Sequence, residues 1–459
     1  MRQQTTEISV NNLNDSISVH NDRVTVEDSD RLRQSAIDSL AEGAVFGNPP
    51  TRQLASFLIR ESGLCLGIQP ASIHELYMAA GSGELAGRTV PAINIRGLTY
   101  DVARSVFRSA IRHNTGAFIF EIARSEIGYT NQRPLEYVTV VIAAAIKEGY
   151  SGPVFIQGDH FQVKAADYRS DPEKEIAEIK SLIKEAIDAG FYNIDIDTST
   201  LVDMGKVTVA EQQHLNYLLS AQLTSYVRQH QPDGITIAVG GEIGEVGGKN
   251  STVEELEAYL DNYRTALNGC GPDLTGLSKV SVQTGTTHGG VVLADGSIAQ
   301  VKIDFETLRE LSRIARDKYG LGGAVQHGAS TLPDKAFHHF PDTGTCEVHL
   351  ATGFQNIIFD HPALPAALRD RVYEYLYDNF SGERKDGQSD TQFIYKTRKK
   401  GFGPFKKEWW NLPEDVREKI NTDLEERFAF LFKKLNVTDT KELVETKVNA
   451  VPVHKKRPL

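Results

Sequence analysis

Val154–Gln162 reads VFIQGDHFQ. Val154–Gln157 predicts a short buried strand, and Gly158-Asp159-His160 places an acid and an imidazole side by side just past it. Successive strand residues point to opposite faces, so such a pair can share one site only where the strand ends and the chain turns. In a barrel of parallel strands, that C-terminal edge is where chemistry is done. An Asp-His dipeptide alone is a weak signal, and its weight depends on what recurs at other strand ends.

Outward from this stretch the chain alternates. Strands are expected at Val90–Ile95, Ala117–Ile122, Val154–Gln157, Asn193–Ile196, Ile235–Val239, Lys279–Gln283, Ala324–Gln326 and Glu347–Leu350. Helices follow them at Tyr100–His113, Leu135–Glu148, Pro172–Ala189, Val209–Gln229, Val253–Leu267, Phe305–Lys318, a short one near Pro333, and Leu364–Tyr377. A doubly wound open sheet produces the same alternation, but eight β-then-α units favour a (β/α)8 TIM barrel. The chain divides on this reading into a mobile polar tail (1–28), a helical N-terminal appendage (29–88), the barrel (89–380) and a C-terminal helical extension (381–459).

Four strand-end clusters line up on one rim. They are Asp159-His160; the glycine-rich loop from Gly240 through Glu242 and Glu245 to Gly248; Thr287-His288-Gly289-Gly290; and Gln326-His327-Gly328-Ala329-Ser330. A single histidine at a strand end is more often a hydrogen-bonded structural residue than a ligand. Three histidines and Glu242 on one rim reverse that balance and make a divalent-metal set, with imidazole nitrogen suiting zinc. Adjacent glycines allow close backbone approach and offer N–H groups to a phosphate. The doublet His338-His339 reads as loop.

With 459 residues and a net charge of −11, the chain has room for a large core and is poorly suited to nucleic acid as its main partner. It has no run apolar enough to cross a bilayer, a polar N-terminus, and three scattered cysteines without CxxC spacing. The expectation is a cytoplasmic protein without nucleic-acid or membrane partners. Thr397–Trp410, TRKKGFGPFKKEWW, is basic with interleaved aromatics; in an acidic protein such a segment more often packs on a neighbouring face than on RNA. Trp409-Trp410 is expected to be exposed, as a candidate interface in a homo-oligomer.

Over about residues 70–375 the sequence resembles the class II, metal-dependent fructose-/tagatose-bisphosphate aldolase family. The resemblance rests on Val90-Pro91-Ala92-Ile93-Asn94, Asp159-His160, Asp195-Ile196-Asp197-Thr198-Ser199, Glu242 through Gly248, Thr287-His288-Gly289, His327-Gly328-Ala329-Ser330 and His349-Leu350-Ala351-Thr352, in the family's order. It implies that His160, His288 and His327 bind Zn2+, or another divalent metal, with Glu242 at a second or alternative position and a monovalent cation as a further possibility. Asp159 would be the catalytic acid/base. Asn94, Gly289, Gly328, Ala329, Ser330 and Thr352 would bind a phosphorylated sugar substrate, supported by Asp197 and Ser199. The implied activity is retro-aldol cleavage of a phosphorylated ketose to dihydroxyacetone phosphate and an aldehyde, with no Schiff-base lysine required.

Departures fall on the substrate side. His349 and Ala351 stand where the family has Asn and Asp, Ala123 stands where it has Ser (with Ser125 nearby), and the lysine usual beyond the His288 motif is missing unless Lys302 replaces it. Two other readings therefore stand beside the aldolase: a non-catalytic companion subunit, and a metal-dependent lyase or isomerase acting on another sugar.

Overall fold

The computed structural model describes residues 15–458 apart from 21, 85, 245–248, 286–292 and 294–302. Eight parallel strands close on themselves in chain order: β4 (Val90–Asn94), β5 (Ile119–Ala123), β6 (Gly152–Gln162), β7 (Asn193–Asp197), β8 (Ala238–Glu242), β9 (Lys279–Val282), β10 (Ala324–Gln326) and β11 (Glu347–Leu350), with β11 pairing back onto β4. This is the (β/α)8 barrel that the alternation predicts. A ninth strand, β3 (Ile68–Ala71), pairs with the first part of β6 outside the ring.

The first two barrel strands, VPAIN and IFEIA, are short, mainly apolar runs buried on both faces, as parallel strands covered by helices must be. The helices between them carry ordinary start and stop chemistry. Pro172–Ala189, for example, begins with Asp171 accepting from the Lys174 amide at 3.0 Å and ends at Gly190, whose φ of 109° is open to glycine. Helices follow every strand of the barrel, but that after β10 is reduced to short turns and His339–Asp342.

Several expectations need correction. The strand expected to end at Gln157 runs on to Gln162, so Asp159-His160 lies inside it. A helix, Thr352–Asp360, directly follows β11 where none was expected. The mobile tail does not extend to Asp28, because β1 (Ile17–His20) and β2 (Arg23–Val26) form an antiparallel hairpin. Near the C-terminus, His454 Nδ1 lies 2.8 Å from Glu61 Oε2 and the Lys455 amide donates to Glu61 Oε1 at 2.7 Å, which ties this part of the chain to the N-terminal helices.

The basic-aromatic segment packs on its own barrel. Arg398 pairs with Asp360 at 2.5 Å, and Trp409 is fully buried. Trp410 stacks on Tyr100 at 5.6 Å and meets Phe46 edge-on at 5.4 Å. The pair is therefore part of the chain's own packing and not a free interface. The long helix Glu414–Lys434 lies along Thr99–Arg112, with Arg108 and Glu418 3.1 Å apart. Among the described residues, no helix is long and apolar enough to cross a membrane.

Candidate functional site

The site begins with a β-bulge. Gly158 pairs with Ile194 and Phe161 with Ile196, so Asp159 and His160 together face the single residue Asp195 on β7. His160 takes a left-handed φ of 40° to absorb the extra residue. The bulge does what a strand end would do: it lets two consecutive side chains serve one site without ending the strand. Gly158 is required here, since a Cβ would come within 2.5 Å of the Phe161 ring.

His160 then meets His327 from the end of β10. Their rings are 4.2 Å apart, with His160 Nε2 and His327 Nδ1 facing at 3.1 Å. The other nitrogen of each ring is anchored: His160 Nδ1 by Asp197 Oδ2 at 2.9 Å, and His327 Nε2 by Ser281 Oγ at 3.0 Å. Ser199 donates to the second Asp197 oxygen at 2.7 Å, which fixes that carboxylate in turn. Glu242 Oε2 is 3.9 Å from His160 Nδ1 and 3.6 Å from His327 Nε2, on the side of the two anchored nitrogens.

These three side chains offer ligand atoms all within 4.8 Å of one another. Two nitrogens on one ion at Zn–N of about 2.0–2.1 Å and tetrahedral angles stand roughly 3.3–3.4 Å apart, close to the spacing seen. An imidazole whose far nitrogen rests on a carboxylate is the usual outer support of a metal ligand. The donor set therefore fits a divalent metal. Burial lowers the His160 imidazolium, but Asp159, Asp197 and Glu242 outweigh it and push the group up to about 10. Burial and the Asp197 charge push Glu242 up to about 8. The carboxylates around His160 favour positive charge at its position, and a divalent ion can supply that charge in place of a proton.

Asp159 lies beside these ligands and also 3.3 Å from His349 Nδ1. The Asn94 amide donates to Asp159 Oδ2 at 3.4 Å and to Glu126 at 2.6 Å. Asn94, Gly328, Ser330 and Thr352 line one cavity of about 290 Å³ with Asp159, His160 and His327. Ser330 accepts from the Ala351 amide at 2.6 Å, and Thr352 opens the helix that follows β11. Ala329 is buried behind this wall. The cavity is also lined by Ala123 and Ser125. His288, Gly289 and Lys302 lie outside the described residues.

Several residues enter that the sequence reading did not select. His349 stacks on His327 with ring centres 3.9 Å apart, and its nitrogens lie 2.9 Å from Glu121 and 2.6 Å from Glu347. Burial would lower the imidazolium; Glu121 and Glu347 raise it well above the ordinary histidine range. Beneath it, the buried Lys279 reaches Gln157 at 2.7 Å, Asp195 at 2.9 Å and Glu347 at 2.5 Å. Those carboxylates hold Lys279 charged against the effect of burial, the opposite of what an amine nucleophile needs. Gly240 makes room for Asp195, whose carboxylate a Cβ would strike.

At the mouth, Arg96 binds Glu126 at 2.7 Å and Gln355 at 3.0 Å, and Lys399 reaches in from the C-terminal part of the chain. Glu121, a carboxylate in the otherwise apolar strand IFEIA, was a legible signal. Lys399 had none beyond its basic neighbourhood.

A family model described as fructose-bisphosphate aldolase class-II matches residues 72–401. Among solved structures, the chain is similar to a probable tagatose 6 phosphate kinase from Sinorhizobium meliloti, at 14% identity and a TM-score of 0.53 over 78% of this chain and 100% of that one. It is also similar to a putative fructose-1,6-biphosphate aldolase from Coccidioides immitis (17% identity, TM-score 0.47, 80% and 97% covered). A third is a fructuronate-tagaturonate epimerase from Cohnella laeviribosi (15% identity, TM-score 0.48, 79% and 82% covered). At these identities the first likeness bears on the fold alone, and the other two carry no argument.

Proposed function

The chain belongs to the class II fructose-bisphosphate aldolase family, and we propose that it is a zinc-dependent aldolase that reversibly cleaves a phosphorylated ketose, similar to fructose 1,6-bisphosphate, to dihydroxyacetone phosphate and an aldehyde. The observation that carries this reading is the bulge in β6, which sets Asp159 beside His160 while His160 faces His327 at 3.1 Å.

His160 and His327 would hold the ion, joined by His288 as the family resemblance implies, with Glu242 as the alternative ligand. A bound divalent ion supplies Lewis-acid stabilisation of the negative charge left on the ketone half as the carbon–carbon bond breaks. Asp159 accepts the proton of the C4 hydroxyl as the C3–C4 bond cleaves, and returns it in the reverse direction. Asn94 holds Asp159 by donating to its Oδ2. Asp197, itself fixed by Ser199, orients the His160 ring. Gly328, Ser330, Thr352 and the turn through Ala329, with Gly289, would hold the substrate phosphate at the rim of the cavity.

Metal analysis of the wild type and of His160→Ala, followed by a cleavage assay on phosphorylated ketoses, tests the reading. About one zinc per chain, lost in the variant, with dihydroxyacetone phosphate as product, is the expected result. No metal after zinc reconstitution would overturn it.

A second reading is favoured by one observation: His349 lies 3.3 Å from Asp159, so two titratable groups flank one cavity. Such a pair suits a metal-dependent lyase or isomerase that moves a proton on another sugar. Formation of an isomeric sugar without release of a three-carbon product would select it.

A further inference from the structure

We propose that a second cavity, at the N-terminal end of the barrel, binds a small organic anion with an apolar body. This cavity measures about 390 Å³, within the roughly 300–1,000 Å³ of small-molecule sites. Its position follows from its wall: Val90 opens β4, while Ala117, Gly322 and Cys346 lie just before β5, β10 and β11. Asp159 and the candidate metal ligands stand at the opposite end of the same strands. Leu76 of helix His74–Gly81 covers it from one side, and Val437 and Leu443 of the C-terminal part cover it from another.

The lining divides into an apolar body and a cationic rim. Leu76, Val90, Ala117, Val437 and Leu443 provide the first; Arg88, Arg309, Arg313 and Arg316 provide the second. Asp342 is the one carboxylate among the lining residues. Arg309 pairs with Glu306 at 2.6 Å and Arg313 with Asp317 at 3.5 Å. Arg88 and Arg316 have no carboxylate within 4.0 Å among the described residues.

Arg316 is the built element. Its Nη1 donates to the Gly344 carbonyl and to Ser312 Oγ at 3.4 Å, which fixes the guanidinium at the cavity wall. Gly344 permits this, because a Cβ there would collide with the guanidinium and its φ of 67° suits glycine. In a chain of net charge −11, four arginines around one apolar cavity form a local positive field. A guanidinium fork matches a carboxylate or phosphate, and the apolar floor takes a hydrocarbon or ring attached to it. Carboxylate and phosphate monoester share this chemistry, and the probes below separate them.

Binding of decanoate, decyl phosphate and decanol to the full chain is measured by isothermal titration calorimetry. The expected result is one equivalent of at least one anion, bound at least roughly tenfold more tightly than decanol. The stronger of decanoate and decyl phosphate identifies the headgroup. Arg316→Ala should weaken that anion roughly tenfold or more, Ala80→Trp should abolish its binding by filling the cavity, and Asp159→Asn should leave it unchanged. Arg88→Ala replaces Arg316→Ala if the latter does not fold. Decanol binding as tightly as both anions, no binding of either anion, or wild-type affinity in the folded cavity variants would overturn the proposal.

Discussion

Lys279 carries its charge into the middle of the barrel, where Asp195 and Glu347 surround it and Glu347 is in turn held by Tyr77 and His349. Removing only the cation leaves two buried carboxylates short of their counter-charge. Lys279→Met should therefore destabilise the fold by about 3–5 kcal/mol, measured by urea unfolding. A variant as stable as wild type would show that the network does not need this charge. Asp159 has a different role. Asp159→Asn keeps shape and leaves His160 and His327 in place, so it should retain metal while turnover falls by roughly 10²–10⁴-fold. Loss of metal together with activity would make Asp159 a ligand instead of an acid/base. At this scale Asp159, His160, His327 and Glu242 were legible in the sequence, because each is a titratable residue in or beside a short strand segment, although Asp159 and His160 sit within β6 and not at its end. His349 was not selected. In sequence it is only a departure from a motif, and its proximity to Asp159, Glu121 and Glu347 exists only once three strands are side by side.

The bulge in β6 is the element on which the site depends. Two residues face one across β6 and β7, and the geometry requires a residue without a side chain at Gly158 and a left-handed backbone at His160. Gly158→Ala drives a Cβ against Phe161, and relief of that contact must shift the strand or the ring. The expected outcome is an overpacking cost of about 1–3 kcal/mol with reduced metal occupancy, read by thermal unfolding and elemental analysis. Full metal occupancy would mean that the bulge tolerates a side chain at that position. Periodicity located this strand but ended it five residues early, at Gln157 instead of Gln162. A glycine followed by two polar residues reads locally as a turn. The partner that keeps them in the sheet, β7, lies more than thirty residues further along the chain.

The whole molecule is a barrel strapped at its outside by the C-terminal part of the chain. After the last helix, Lys441–Lys447, the Asn449 amide donates to Glu75, the Gln69 amide to the Ala450 carbonyl, and His454 and Lys455 meet the buried Glu61. Truncation after Val448 removes all of these and uncovers Glu61. Such a chain should keep its barrel by circular dichroism while losing about 1–3 kcal/mol, seen as a lower melting midpoint. An unchanged midpoint would show that the strap contributes nothing to stability. The same extension supplies Lys399 to the mouth of the candidate site and Val437 and Leu443 to the N-terminal cavity.

The sequence by itself determined the eightfold alternation, the family, and which strands carry titratable residues, since each depends on neighbours a few positions apart. Tertiary structure alone decided that β6 runs through Asp159-His160, that Trp409 and Trp410 pack inward, that His349 and Lys279 share a network with Asp195 and Glu347, and that a cavity opens at the far end of the barrel. Each of these depends on tertiary contacts that bring together residues tens to hundreds of positions apart. Burial then assigns those contacts an energy that no local pattern carries.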